Sequence, residues 1–243
     1  MDSLTGNNHM LNNIADAYVF ILNYENKRRG VDRKSRLFFS TECYLILCTE
    51  KYFKNTESQD DRKKALFKQM KKEMTNAEVT TSNNIQLVFF PVVLPGHYYL
   101  LCVNFLEGTL DVIDNRFLPP KIYFEDKYGD ETTKMLKAFG EFYQEVDKKS
   151  DIVSSYETRN LNMKWKSNKN NHDCGVFLLK HMKTYEGQYG KQWNSGLEKD
   201  NFEQMKRLRV EYCWKIITSE INEERKRVMK IAKKWSKKNK IDI

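Results

Sequence analysis

Three apolar segments follow one another closely in the middle of the chain, and they constrain its fold more than any other feature. Residues 85–93, 97–105 and 109–114 each have the length and the β-branched and aromatic content of a strand. The last two are joined at Glu107-Gly108, as in a β-hairpin. We therefore predict a central, largely antiparallel sheet.

Segments in which apolar residues recur at helical spacing lie on both sides of these strands. They predict helices over residues 10–28, 62–74, 132–146 and 175–185, more than one helix within 202–235, and a helix or short strand over 37–47. The segment 175–185 is apolar over most of its surface, which is typical of a helix packed across a sheet. The 243 residues contain no repeat and no clear linker, so we expect one α+β domain over residues 1–243.

The net charge of +9 is concentrated near the C-terminus. Residues 199–243 hold 14 Lys and Arg against 7 Asp and Glu, and we predict a basic helical segment there. Three interpretations stay open: a solvated helix surface, a nuclear-import signal, and contact with an acidic partner. Within the basic run 225–238, Trp235 is the one aromatic residue, so we expect no specific binding of nucleic acid.

The remaining composition bears on location and assembly. No apolar run is long enough to span a membrane, and we expect no membrane partner. The first residues lack the basic and apolar blocks of a signal peptide. The five cysteines suggest reduced thiols and a nuclear or cytoplasmic location. No Cys/His spacing is typical of a zinc site, and no glycine-rich phosphate loop occurs, so we expect neither a metal nor a cofactor.

Cys174 lies in a setting that suits a nucleophile. It follows a polar loop that ends at Asp173, and it begins the apolar segment 175–185. Unpaired N–H groups at a helix N-terminus favour an ionised sulfur, and Gly175 permits a close approach of another backbone. A buried structural thiol is the alternative interpretation.

His97 and Asp114 provide a candidate base and its orienting partner. His97 begins one strand of the predicted hairpin and Asp114 ends the other, so both should lie at the open end of the hairpin, away from its turn. Alone, His97 is equally consistent with a polar residue at a strand edge, and Asp114 with a turn residue. His172 is a further candidate base without an obvious orienting partner.

The segments Gly96 to Leu101, Val112 to Asn115 and Asn168 to Gly175 together resemble the ubiquitin-like-protein proteases, the SUMO-specific cysteine proteases, with the plant branch the most similar. The resemblance covers roughly residues 9–225. It implies a papain-like fold with the nucleophile at the N-terminus of a core helix. It also implies a triad of His97, Asp114 and Cys174.

The same resemblance implies an activity and a partner. The reaction would be hydrolysis of a peptide or isopeptide bond after the Gly-Gly tail of a ubiquitin-like modifier, with SUMO the first candidate. Asn168 takes the place of the family's oxyanion-hole glutamine, and its side chain is one methylene shorter. Tyr98 would form one wall of the channel for the tail. We expect a monomer.

A second departure from the family lies near the N-terminus. His9 and Met10 replace the Trp-Leu pair of the family, in which the tryptophan closes over the glycine tail, and we assign both to substrate binding by alignment. Three alternatives stay open: a related protease that acts on another modifier or protein, an impaired copy that binds a modifier without cleaving it, and, ranked last, an acetyltransferase with a similar triad.

Overall fold

The structure is a computed structural model that describes residues 9–28, 35–49, 58–79, 84–147 and 153–239. Within these ranges the α-helices are α1 (Asn12–Lys27), α2 (Thr41–Cys48), α3 (Gln59–Asn76), α4 (Asp130–Asp147), α5 (Cys174–Thr184), α6 (Phe202–Thr218) and α7 (Arg225–Asn239). The strands are β1 (Arg36–Phe38), β2 (Leu87–Leu94), β3 (His97–Asn104), β4 (Thr109–Ile113) and β5 (Glu157–Asn160). None of the described helices has the length and apolar content needed to cross a membrane.

The five strands form one sheet in the order β1-β2-β3-β4-β5. The three central strands are antiparallel, as the sequence predicts, because tight turns join them. In the β3–β4 turn, Gly108 has φ +65°, a conformation that glycine adopts without steric cost. The two edge strands pair in parallel with their neighbours, so the whole sheet is mixed.

Both faces of the sheet are covered by helices, and β3 shows how the sequence achieves this. Tyr98, Leu100 and Cys102 belong to the hydrophobic core on the side of α1, α5 and α6. Tyr99 and Leu101 alternate with them and belong to the core on the side of α2, α3 and α4. Successive side chains of a strand point to opposite faces, so a continuous apolar strand of this kind fits a sheet that is buried on both sides.

Helix α5 packs against β3, as expected for an apolar helix at the centre of a domain. Eight of its eleven residues are buried. Its first residue is Cys174, so the predicted placement of this cysteine at the N-terminus of a core helix is confirmed. Together the layers give the predicted α+β fold.

Candidate active site

His97 and Asp114 meet at the open end of the β3–β4 hairpin. The antiparallel register pairs Leu100 with Ile113, which places the start of β3 beside the end of β4. His97 Nε2 lies 2.9 Å from both carboxylate oxygens of Asp114, so the predicted contact is present. The other ring nitrogen, Nδ1, is buried and has no hydrogen-bond partner in the part of the chain that the structure describes. This nitrogen is therefore the one that can exchange a proton with a neighbouring group.

Three further groups surround the Asp114 carboxylate, which is fully buried. Lys127 Nζ lies 2.9 Å from it, the Tyr128 hydroxyl donates at 2.6 Å, and the Arg116 backbone N–H donates at 2.8 Å. Burial alone would raise the pKa of Asp114, but the hydrogen bond and charge of His97, with Lys127 and Tyr128, hold it well below the usual range of a carboxyl group. Asp114 is therefore a carboxylate that can orient the imidazole.

Lys127 and Tyr128 were not predicted from the sequence. They lie on a π-helical turn, Glu125–Gly129, directly before α4. Such turns are rare, and they are frequent at functional sites. The tyrosine packs edge-to-face against Tyr99 of β3, which fixes its hydroxyl beside the carboxylate. No sequence pattern indicates which residue of an irregular segment will reach a given carboxylate.

Cys174 is buried, with 1% of its surface exposed. Burial raises the pKa of its thiol, while the backbone N–H groups of Tyr98 and Gly175 and the charge of Arg116 act in the opposite direction. The N–H of Tyr98 belongs to the residue directly after His97, so the sulfur lies beside the start of β3. The sulfur thus lies at the end of the hairpin that carries the His97–Asp114 pair.

The loop before Cys174 is fixed by an ion pair with a buried arginine. Asp173 accepts a hydrogen bond from Arg209 Nε of α6 at 2.7 Å and another from Asn170 Nδ2 at 2.7 Å. Arg209 is 3% exposed and also donates to the backbone carbonyl of His172 at 3.2 Å. The Asp173 side chain does not cap α5. Its carboxylate instead joins the nucleophile loop to α6.

Position 175 needs a glycine because the Met10 side chain packs directly against it. The sequence had predicted the close approach of a backbone instead. A Cβ at Gly175 would lie 2.6 Å from Met10 Cε and 2.7 Å from Met10 Cβ, far inside normal contact. Met10 is 2% exposed and belongs to the core that also contains Cys174. The structure therefore gives Met10 a packing function beneath α5. Its assignment to substrate binding stays a prediction.

Tyr98 and His9 are the two other residues that we assign to substrate binding. The Tyr98 hydroxyl lies 2.8 Å from the Met10 carbonyl oxygen and 2.5 Å from Asn12 Oδ1, so it holds the start of α1 against β3. Tyr98 is 7% exposed, which leaves little of its side chain free to line a channel. His9 is exposed, and its ring centroid lies 5.2 Å from that of His172. Their contacts with a substrate stay predictions.

Asn168 is exposed in the loop before α5. Its Oδ1 accepts a hydrogen bond from the backbone N–H of Phe117 at 3.0 Å, in the loop after β4. This bond orients the side-chain amide and leaves the NH2 group as the side that can donate. The predicted oxyanion-hole function requires such a free donor, and it stays a prediction.

Among the described residues, no group of three His, Cys, Asp or Glu side chains is placed to hold a metal ion. The site itself contains a thiol, an imidazole, a carboxylate and amide donors. A thiol at the start of a buried helix, beside a histidine that a buried aspartate orients, is the arrangement of a cysteine peptidase.

Comparisons with known proteins identify the family. The sequence profile described as "Ulp1 protease family, C-terminal catalytic domain" matches residues 8–221. The chain belongs to the Ulp1 protease family, and it contains the cysteine-peptidase domain of that family. No curated protein sequence matches the chain significantly.

Solved structures show the same fold at low sequence identity. The C-terminal Ulp1 protease domain in complex with Smt3, the yeast ortholog of SUMO, is 14% identical, with a TM-score of 0.59 over 89% of this chain and 80% of that chain. The SUMO protease Ulp1 with its catalytic cysteine oxidised to a sulfenic acid gives the same values. The catalytic domain of the Chaetomium thermophilum Ulp1-like SUMO protease is 14% identical, with a TM-score of 0.53 over 85% and 72% of the two chains.

Proposed function

We propose that this protein is a cysteine protease that cleaves the peptide or isopeptide bond after the C-terminal Gly-Gly of a ubiquitin-like modifier, with SUMO the favoured modifier. The observation that carries the proposal is the pairing of His97 Nε2 with Asp114, which leaves His97 Nδ1 without a partner among the described residues, at the strand end where the backbone N–H of Tyr98 reaches the Cys174 sulfur. The match to the Ulp1 family and the likeness to a Ulp1 domain bound to Smt3 support the choice of modifier.

In the proposed reaction, His97 Nδ1 takes the proton of the Cys174 thiol. The thiolate attacks the carbonyl carbon of the terminal glycine and forms a tetrahedral intermediate. The proton on His97 then passes to the leaving amine, the C–N bond breaks, and a thioester remains on Cys174. Water, deprotonated by His97, attacks the thioester and releases the modifier with a free carboxylate. Asp114 stays ionised throughout and stabilises the imidazolium.

The negative oxygen of the intermediate needs donors. The backbone N–H of Cys174 lies at the N-terminus of α5, where N–H groups have no partner within the helix. The Asn168 amide, oriented by Phe117, is the second donor that we propose. One donor of this kind contributes about 100- to 1000-fold to the rate in well-studied proteases.

The test uses SUMO and ubiquitin probes with an electrophilic C-terminus. We expect the SUMO probe to form a covalent adduct with the wild-type chain and none with Cys174→Ser, and Cys102→Ser to label normally as a buried matched control. Labelling that survives Cys174→Ser would overturn the assignment of the nucleophile. Labelling by the ubiquitin probe alone would overturn the choice of SUMO.

A second candidate function is a module that binds a modifier without cleaving it. The observation that favours it is the shorter oxyanion donor, because Asn168 reaches less far than the glutamine of the family. This function predicts SUMO binding by calorimetry, equal for the wild type and Cys174→Ser, with no adduct and no cleavage of a SUMO fusion. Cleavage of the fusion by the wild type would exclude it.

A further inference from the structure

Arg116 connects the two loops from which the active site is built. It follows β4, two residues after Asp114. Its guanidinium Nη2 donates to the backbone carbonyl of Asn171 at 3.2 Å and lies 3.5 Å from that of Gly96. Asn171 belongs to the loop that leads to Cys174, and Gly96 directly precedes His97. One side chain therefore contacts the loop of the nucleophile and the loop of its base.

The charge of Arg116 is not neutralised by a neighbouring carboxylate side chain. The acidic groups of the site have other cationic partners, since Lys127 pairs with Asp114 and Arg209 with Asp173. Within the described ranges, Arg116 forms no ion pair, and its Nε is buried without a hydrogen-bond partner. A buried, unpaired donor on a charged group costs free energy, so its retention calls for an explanation.

The nearby thiol supplies that explanation. A fixed positive charge close to a cysteine favours the thiolate over the thiol. The guanidinium keeps its charge at every pH at which a protein is folded, whereas an imidazolium loses its charge near neutrality. The other charged or titratable groups of the site are His97, Asp114, Lys127, His172, Asp173 and Arg209.

We propose that Arg116 is a positioning residue of the active site: it holds the loops of Cys174 and His97 together, and it supplies the permanent positive charge that stabilises the Cys174 thiolate. The proposal rests on the proposed function only in taking Cys174 as the reactive thiol. In this proposal, a residue outside the triad sets the pH at which the Cys174 thiol becomes nucleophilic. The thiol proton moves to His97 Nδ1 or to solvent, and the guanidinium takes no part in the transfer.

The experiment measures the rate at which iodoacetamide alkylates Cys174 as a function of pH in the full chain. Peptide mass spectrometry separates Cys174 from the other four cysteines. Arg116→Gln should raise the pKa of the Cys174 thiol by about 1, which lowers the rate at pH 7 about tenfold. Arg116→Lys keeps the charge and should stay within about twofold of the wild type.

The matched control is Lys199→Gln. Lys199 is exposed and lies over the ring of Phe117, the residue next to Arg116, so the variant removes one positive charge from the outer side of the same loop. Its alkylation profile should equal that of the wild type. A thiol pKa equally raised in Lys199→Gln and Arg116→Gln would show a general effect of net charge and overturn the proposal.

A second measurement needs no variant. Added salt screens a partly exposed charge, so the pKa of the Cys174 thiol in the wild type should rise between low and high ionic strength. An unchanged pKa in Arg116→Gln, or in the wild type across salt if that variant does not fold, would overturn the proposal. No alkylation of Cys174 at any pH would overturn it together with the proposed function.

The two proposals can fail separately. A chain that leaves the SUMO and ubiquitin probes unreacted, yet shows the Arg116 effect on alkylation, would contradict the proposed function alone. A chain that reacts with a probe, but whose thiol pKa does not depend on Arg116, would contradict the present proposal alone.

Discussion

Helices α5 and α7 differ in burial, in charge and in their coverage by the family match. Eight of the eleven residues of α5 are buried, and the helix begins with Cys174. In α7, eight of fifteen residues are Lys or Arg, none is acidic, and Ile231 and Trp235 are exposed. The family match includes α5 and ends at residue 221, before α7 begins.

In the part of the chain that the structure describes, contacts between different elements are concentrated around α5 and are few around α7. Around α5, both carboxylates of the site are held by cations from other segments, Asp173 by Arg209 and Asp114 by Lys127. At α7, by contrast, Arg227 pairs with Glu224 directly before the helix, a contact within one stretch of sequence. Substitutions near α5 should therefore have large effects on activity and stability, and substitutions on α7 should have small effects.

The largest effect is expected from Asp114→Asn. The amide cannot stabilise the imidazolium of His97, so cleavage of a SUMO fusion should fall on the order of 1000-fold or more. Thr109→Ser, a mild change at the far end of β4, is the control and should remain near wild-type activity. Wild-type turnover in Asp114→Asn would show that His97 is oriented by another group.

The effect of Asp114→Asn on stability should depend on pH. The folded-state pKa of Asp114 is depressed, so its contribution to stability is present above the unfolded-state pKa of about 3.9 and is lost as the pH falls through the folded-state value. The difference in the free energy of unfolding between the wild type and Asp114→Asn should therefore shrink as the pH falls below about 4. Urea titrations at pH 7 and pH 3 would measure it.

The next largest effect is expected from Arg209→Met. This change leaves the half-buried Asp173 carboxylate without its cation, and the cost should lie below the roughly 3–5 kcal/mol of breaking a fully buried pair. Adding Asp173→Asn should recover part of the loss, because the uncompensated charge is then gone. Urea denaturation of both variants measures this. Equal stability of Arg209→Met and the wild type would mean that α6 does not fix the loop of Cys174.

A smaller effect is expected at Asn168. Asn168→Ala removes the proposed oxyanion donor and should lower turnover by about 10- to 100-fold, below the 100- to 1000-fold of a well-placed donor. Asn168→Gln restores the reach of the family's side chain and should equal or exceed the wild type. The exposed Asn162→Ala is the matched control. Equal turnover in the wild type, Asn168→Ala and Asn168→Gln would show that another group fills the oxyanion hole.

The smallest effect is expected on α7. Lys233→Gln with Lys234→Gln removes two exposed charges and should change the free energy of unfolding by less than about 0.5 kcal/mol. Turnover on a SUMO fusion should stay within about twofold. The double change Lys68→Gln and Lys72→Gln on the exposed face of α3 is matched in charge. A large loss of activity confined to the α7 variant would break the contrast between the two helices.

The sequence predicted the pairing of His97 with Asp114 because the pairing is local. A short turn between two apolar strands brings their outer ends together, and the alternation of β3 follows from burial on both faces. The start of α5 could also be predicted from the sequence, since a polar loop ends where an apolar helix begins. These features depend on neighbours in sequence, which pattern and turn chemistry describe well.

Other parts of the site depend on contacts between distant segments. Arg209 reaches Asp173 across 36 residues, and no charge pattern selects it among the basic residues of α6. Strand β5 is short and polar, so its sequence, Glu-Thr-Arg-Asn, lacks the alternation of a half-buried strand. Helix α3 begins at Gln59, earlier than the predicted start at residue 62, because Ser58 and Asp61 form a capping box.

The contact between Asp173 and Arg209 has a consequence for protein synthesis. The ribosome adds Arg209 36 residues after Asp173, a delay of about two to seven seconds at ordinary elongation rates. During that interval the nascent chain already contains its thiol, imidazole and carboxylate, but the loop before Cys174 lacks the arginine that fixes it. We expect the nascent domain to remain inactive until α6 has been synthesised. Proteolysis would then begin only when almost the whole catalytic domain has been synthesised.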